Sequence, residues 1–106
     1  SGKIERNAQM SGNICDAIIG PVVGDMTFPI LHRLCGPGLT VSEDEALQAM
    51  AAAFLRLKLV AEPGGAVGLA AALSRADQIE GEDVIVTISG GNVDPALFAR
   101  ALEAAA

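Results

Sequence analysis

The chain has 106 residues, enough for one domain with a modest core and too few for two. Hydrophobic residues make up 51% of it but aromatics only 3%, namely Phe28, Phe54 and Phe98. The core must therefore be built from Ala, Val, Leu and Ile, which bury less area per residue than rings do. A formal net charge of −6, with seven basic residues that never form a run, argues against a nucleic-acid partner. The densest apolar stretch, Val67 to Leu73, is far shorter than the ~20 residues of a membrane-crossing helix. Cys15, Cys35 and a single histidine offer no zinc spacing. With no apolar signal core near Ser1, a reduced cytoplasmic compartment is the expectation.

In chain order, residues 1–12 are polar and aperiodic and read as a lead-in segment. Ile14 to Ile19 form a short apolar run closed by Gly20-Pro21, suited to a strand or a short buried turn. A short helix is expected from about Gly24 to Leu34, with Pro29 in its first turn, where a missing N–H costs nothing. Leu39-Thr40-Val41 is a short strand candidate. Ser42-Glu43-Asp44-Glu45 is a capping box, with acids at the positive end of the helix dipole. Leu47, Met50, Ala51 and Phe54 follow at helical spacing, and Pro63-Gly64-Gly65 is expected to stop that helix.

A second helix is expected from about Gly65 to Ser74. It carries no charge on any face, so burial on all sides is expected of it. Residues 75–83 form a polar loop. Val84 to Ile88 form a continuous β-branched run without alternation, as in a parallel strand covered on both faces. Asp94 and Pro95 then open a final helix through Phe98, Ala101 and Leu102. One convincing strand does not make a sheet, so the chain reads as part of a larger α/β domain.

Two stretches could carry chemistry. Ser89-Gly90-Gly91-Asn92 follows the strand candidate directly, where ligands bind in open α/β sheets. Its glycines permit close approach and its serine hydroxyl donates and accepts, although a plain strand-to-helix turn would read the same way. Glu62-Pro63-Gly64-Gly65 sets a carboxylate between two apolar stretches: either an exposed turn residue or an acid aimed into a site. His32 stands without a nucleophile near it in sequence and reads as a surface or half-buried residue.

Lys58-Leu59-Val60-Ala61-Glu62-Pro63-Gly64-Gly65-Ala66 and Ile88-Ser89-Gly90-Gly91-Asn92-Val93-Asp94 resemble two signature stretches of fold-type II pyridoxal-phosphate enzymes. The nearest branch is that of threonine/serine dehydratases and serine racemase. Ile14-Cys15-Asp16-Ala17 resembles its Ile-Ala-Asp-Gly turn, and Leu39 to Glu45 its preceding strand and helix start, so the likeness spans the chain in one register.

The resemblance implies an α/β fold: the C-terminal part of the large, tryptophan synthase β-like domain, with helices packed on a mostly parallel sheet. It implies pyridoxal 5′-phosphate as cofactor, with Ser89 bonding the pyridine nitrogen, Glu62 near the ring, Gly90 in the serine loop, and the backbone of Ala17 lining the site. Ala17 stands where the family has glycine. A nucleotide effector held by Arg56, Lys58 and Asn92 is a further implication from the racemase relatives.

The family's Schiff-base lysine and its tetraglycine-type phosphate loop have no counterpart here, because Lys3 and Lys58 lack that context. No catalytic residue and no metal ligand is assigned to residues 1–106, and this chain alone is expected to be inactive. Within an intact enzyme the implied activity is elimination of water and then ammonia from L-threonine or L-serine, giving a 2-oxo acid. A racemase, a lyase for a derivative of such a substrate, and a non-catalytic ligand-binding module are the alternatives. The expected partners are the hydroxy amino acid, the polypeptide carrying the missing lysine, and further copies of the chain, with no nucleic acid and no membrane.

Overall fold

The structure is a computed structural model and describes residues 1–105. Four helices order the chain: α1 (Thr27–Leu34), α2 (Glu43–Ala52), α3 (Pro63–Ser74) and α4 (Pro95–Ala104). Helix α2 is central and packs against both α3 and α4, whereas α1 packs on none of the other helices.

The capping box at α2 forms in full. Ser42 Oγ accepts from the Glu45 amide at 3.1 Å, and Glu45 Oε2 accepts from the Ser42 amide at 2.8 Å. Ala46, Leu47, Ala49, Met50 and Ala51 are buried between the two partner helices, and Leu47 and Met50 are the largest side chains fully enclosed. The rest of the core is alanine: Ala53, Ala61, Ala66, Ala70 and Ala101. Such small side chains let helix backbones approach closely, and each contributes little apolar area. Phe54 and Phe98 meet edge to face, with centroids 5.3 Å apart, and join the end of α2 to α4.

Helix α2 ends earlier than the sequence led one to expect. Residues Ala53–Leu57 widen into a π turn, and Lys58 takes the left-handed conformation (φ 60°) that closes many helices. Its ammonium group caps Leu55 O at 2.8 Å. Pro63 therefore stops nothing. It opens α3 at the first helical position, with the extended Glu62 as N-cap, so α3 begins two residues before Gly65. Nor is α3 enclosed all round: Pro63, Gly64, Gly65, Ala66 and Ala70 are buried, but Leu73 is 59% exposed.

The Ile14–Ile19 run is not a strand but a turn, with a 3-10 segment at Asp16–Ile18. Helix α4 is capped as read, with Asp94 Oδ1 accepting from the Ala96 amide at 2.8 Å. Phe28 and His32 stack on the exposed α1. Residues 1–12 meet residues 20–22 through an antiparallel bridge, Arg6 to Val22, and through Asn7, whose amide donates to Pro21 O at 2.7 Å.

The expected sheet does not form among the described residues. Residues 84–88 run outside any helix, yet no backbone hydrogen bond involves residues 80–89, and Ile85 is 98% exposed. Residues 39–41 are likewise outside helices and unpaired. A strand becomes part of a sheet only when a second strand pairs with it at about 4.8 Å, and no such pairing involves these segments among the described residues. No helix among the described residues is long and apolar enough to cross a membrane.

The loop after α3 is fastened back to α2. Arg75 meets Glu45 in a two-pronged pair at 2.7 and 3.0 Å, both groups half-buried. The Arg75 hydrogen bond, and after it the bond from the Ser42 amide, holds the Glu45 carboxyl below the ordinary carboxylate range. A carboxyl depressed in the folded state stabilises it fully above the unfolded pKa of about 4.3 and loses that contribution as pH falls through the lower folded value. Arg75→Met should therefore lower the neutral plateau of a thermal-midpoint-against-pH curve and flatten its acid limb, so that parent and variant converge at low pH. An acid limb identical to that of the parent chain would refute this role.

Candidate functional site

The two signature stretches lie against each other because three glycines leave no side chain between them. After α2, residues 59–62 run to α3 outside any helix, and the Glu62 amide donates to Gly90 O at 2.9 Å. A Cβ at Gly65 would lie 2.5 Å from Gly90 O and 2.9 Å from Gly90 N. A Cβ at Gly91 would collide with Val60 O. At Gly90 it would meet Glu62 Oε1 at 2.9 Å, so the carboxylate rests on the backbone of the serine loop. Gly64 faces the N-terminal turn less tightly, a Cβ there lying 3.2 Å from Ile18 Cγ2 and 3.7 Å from Ala17 Cβ. Three segments distant in sequence thus converge on the first turn of α3.

Two clefts flank this junction. One, of about 260 Å³, is lined by Glu62, Asp16, Ala17, Asn92 and Asp94, with Leu97 at its apolar side. The other, of about 460 Å³, is an apolar groove between α3 and residues 84–87, with Ser89 on its lining beside Ile18, Leu39, Val67 and Val86. Glu62 and Ser89 therefore open into neighbouring clefts rather than one, with Gly64 on the wall of both.

Of the residues singled out from sequence, the fold brings Glu62, Gly90 and Ala17 together and sets Ser89 at the next opening. Arg56 and Lys58 line neither cleft. Asn92 lines the Glu62 cleft, and the Lys58 ammonium is turned onto its own helix end. Asp16 and Asp94 enter the Glu62 cleft although the sequence pattern gave them no role there. The available signal was adjacency, since Asp16 precedes Ala17 and Asp94 lies two residues beyond Asn92. Cys15 is no nucleophile candidate: burial first, then the charges of Glu43 and Asp16, push its thiol pKa up, away from the reactive thiolate.

The family described as "Pyridoxal-phosphate dependent enzyme" matches residues 2–91. The chain belongs to that family. Among its relatives, the chain is 38% identical over 81 residues to an L-threo-3-hydroxyaspartate ammonia-lyase of Pseudomonas sp, covering 76% of this chain and 25% of that protein. It is 36% identical over 105 residues to the serine racemase of Dictyostelium discoideum (96% and 32%). It is 34% identical over 99 residues to the L-threonine ammonia-lyase of Thermotoga maritima (93% and 24%). The crystal structure of a threonine deaminase from T.th. superposes with a TM-score of 0.80 at 36% identity, over 88% of this chain and 33% of that one. The Dictyostelium discoideum serine racemase structure gives 0.74 at 38% identity (88% and 29%). The chain thus spans a quarter to a third of the length of these relatives, and its fold is that of the corresponding part of fold-type II enzymes.

The residues present fit one edge of pyridoxal phosphate. Ser89 is exposed and carries a hydroxyl on the lining of an otherwise largely apolar groove, next to a Gly90 that adds no side chain. Neither Lys3 nor Lys58 lines either cleft.

The glycine junction sets the sign of a simple mutational contrast. Inside a helix, alanine is favoured over glycine by about 1 kcal/mol. At Gly65 the new Cβ would press on a backbone carbonyl that cannot rotate away, so Gly65→Ala should instead destabilise by about 1–3 kcal/mol. Gly36→Ala, with nothing within 4 Å of the added carbon, should stay within about 0.5 kcal/mol. Urea unfolding of both variants checks this, and equal midpoints would mean the junction is looser than these distances imply.

Proposed function

We propose that this chain is the C-terminal part of the cofactor-binding domain of a pyridoxal-phosphate-dependent hydroxy-amino-acid lyase. The enzyme would eliminate water from L-threonine or L-serine, and hydrolysis of the dehydrated product, which takes up one water, would release ammonia and leave a 2-oxo acid. The observation that carries the reading is the Ser89-Gly90-Gly91-Asn92 loop closed onto Glu62-Pro63-Gly64-Gly65, with the serine hydroxyl left at an open groove.

Pyridoxal phosphate, when bound, supplies an electron-withdrawing ring that acidifies the α-proton of an attached amino acid. Ser89 would hold the ring nitrogen through a neutral hydroxyl. A neutral partner does not stabilise a protonated ring as a carboxylate does, which tempers electron withdrawal and suits loss of a β-hydroxyl over transamination. Gly90, and the Ala17 backbone across Gly64, would bound the site without side-chain bulk, and the Glu62 carboxylate would lie near the ring's edge.

The reactive lysine and the phosphate-binding loop would come from a further stretch of polypeptide that also carries strands. Residues 84–88 would pair with those strands in a mostly parallel sheet, which would cover Val84 and Ile85. A soluble cytoplasmic homo-oligomer is the assembly this reading favours. A nucleotide effector at Arg56, Lys58 and Asn92 would require the Lys58 side chain to leave Leu55 O.

A second reading, a serine racemase, is favoured by the 36% identity to such an enzyme over 105 residues. Supplying the intact enzyme with L-threonine and L-serine separates the two: release of ammonia with a 2-oxo acid supports the lyase, and D-serine formed without ammonia overturns it in favour of the racemase. Ser89→Ala should weaken cofactor retention about tenfold, the equivalent of one good hydrogen bond, and an unchanged cofactor absorbance titration would remove Ser89 from the site. The 106-residue chain alone should give no lysine that borohydride labels specifically with cofactor, and it should sediment as more than one copy. A specifically labelled lysine, or a stable monomer, would show that more of the catalytic apparatus lies within this segment.

A further inference from the structure

We infer that Glu43 is a positioning residue for the cofactor cleft, acting through the turn at residues 13–18; the inference rests on the cofactor-binding reading above. Its Oε1 accepts a hydrogen bond from the Ile14 amide at 2.9 Å, across 29 residues of sequence and in a partly buried setting. Among the described residues this is the one hydrogen bond that reaches the turn from a distant element. The turn's other bonds are its own: Asn13 Oδ1 accepts from the Cys15 amide at 2.7 Å, and the Ile18 and Ile19 amides bond to Cys15 O and Asp16 O at 3.2 Å. Those local bonds set the shape of the turn but not where it sits.

Its location matters because its far side builds the site. Asp16 and Ala17 line the cleft opposite Glu62. Ala17 and Ile18 abut Gly64 in the first turn of α3, next to the Glu62-Gly90 contact. The Ile14 side chain leans on the core while its amide is held by Glu43. Glu43 itself stands at the start of α2, whose N-terminus is already immobilised by the Ser42–Glu45 box and the Arg75 pair. A rigid helix thus sets the position of a short turn through one carboxylate oxygen. Aligned with the helix dipole, that carboxylate would favour the helix start at any rotamer, whereas its bond to Ile14 requires one orientation.

The test uses the full-length enzyme and three variants. Glu43→Gln keeps an oxygen that can accept from Ile14 and removes the charge; Glu43→Ala removes both; Glu45→Ala breaks the cap and the Arg75 pair but leaves the turn's tether. Amide hydrogen exchange at residues 13–18 is read first, without cofactor, and cofactor dissociation is read second. Glu43→Ala should speed exchange across the turn and weaken cofactor binding by about tenfold, the loss expected of one hydrogen bond to a charged acceptor. Glu43→Gln should restore most of both, and Glu45→Ala should lower thermal stability without selectively unprotecting the turn. Parent-like exchange in Glu43→Ala, no rescue by Glu43→Gln, or equal unprotection of the turn in Glu45→Ala would overturn the inference. If the parent enzyme binds no cofactor, the functional reading falls, and the exchange comparison still decides whether Glu43 holds the turn.

Discussion

Gly65 sits so close to Gly90 that a single added carbon would lie 2.5 Å from its carbonyl oxygen. Neither residue has a positive φ, so the demand for glycine here comes from backbone meeting backbone rather than from torsional freedom. Much else follows from this closeness. It lets the Glu62 amide reach Gly90 O, which holds Glu62 in the extended conformation that an N-cap needs. Pro63 can then open α3, and the glycine at 64 leaves room for Ala17 and Ile18 to abut the same turn.

The packing around α2 obeys the same logic of small side chains. Alanines at 46, 49, 51, 53, 66, 70 and 101 are fully enclosed, and only Leu47 and Met50 add larger volume. A core of this kind gains from close contact more than from buried area. It also has a limited reach. Val84, Ile85 and Leu73 remain half or more exposed, as do Ile30 and Leu34 on α1. Exposure on this scale marks surfaces suited to covering by further protein.

The acids at the head of α2 show how one dipole-favourable cluster divides its labour. Asp44 stays exposed. Glu45 is shared between the Ser42 amide and the Arg75 guanidinium, which joins the helix start to the loop beyond α3. Glu43 turns the other way, to Ile14. Three carboxylates adjacent in sequence therefore face solvent, the α3 loop and the N-terminal turn. That division ties both ends of the site's framework to one rigid element.

Signals that act over a few residues were legible without the fold. The Ser42–Glu45 box, the Asp94 cap and Pro95 each satisfy backbone groups within one turn, so residue type and spacing determine them. The identity of the two signature stretches was legible for the same reason, since each is a contiguous string. Long-range outcomes were not. Helix α2 passes into a π turn that closes at a left-handed Lys58, which carries no glycine signal, and so Pro63 reads as a stop along the sequence although in the fold it is a start. The residues from Val84 to Ile88 have strand composition, yet composition cannot supply the neighbouring strand that pairing requires. Only the tertiary structure decided that Glu62 rests on Gly90, that Ala17 faces Glu62 across a cleft, and that Ser89 opens into the groove beside it. These placements depend on backbone distances between segments far apart along the chain, and spacing along a sequence carries no measure of such distances.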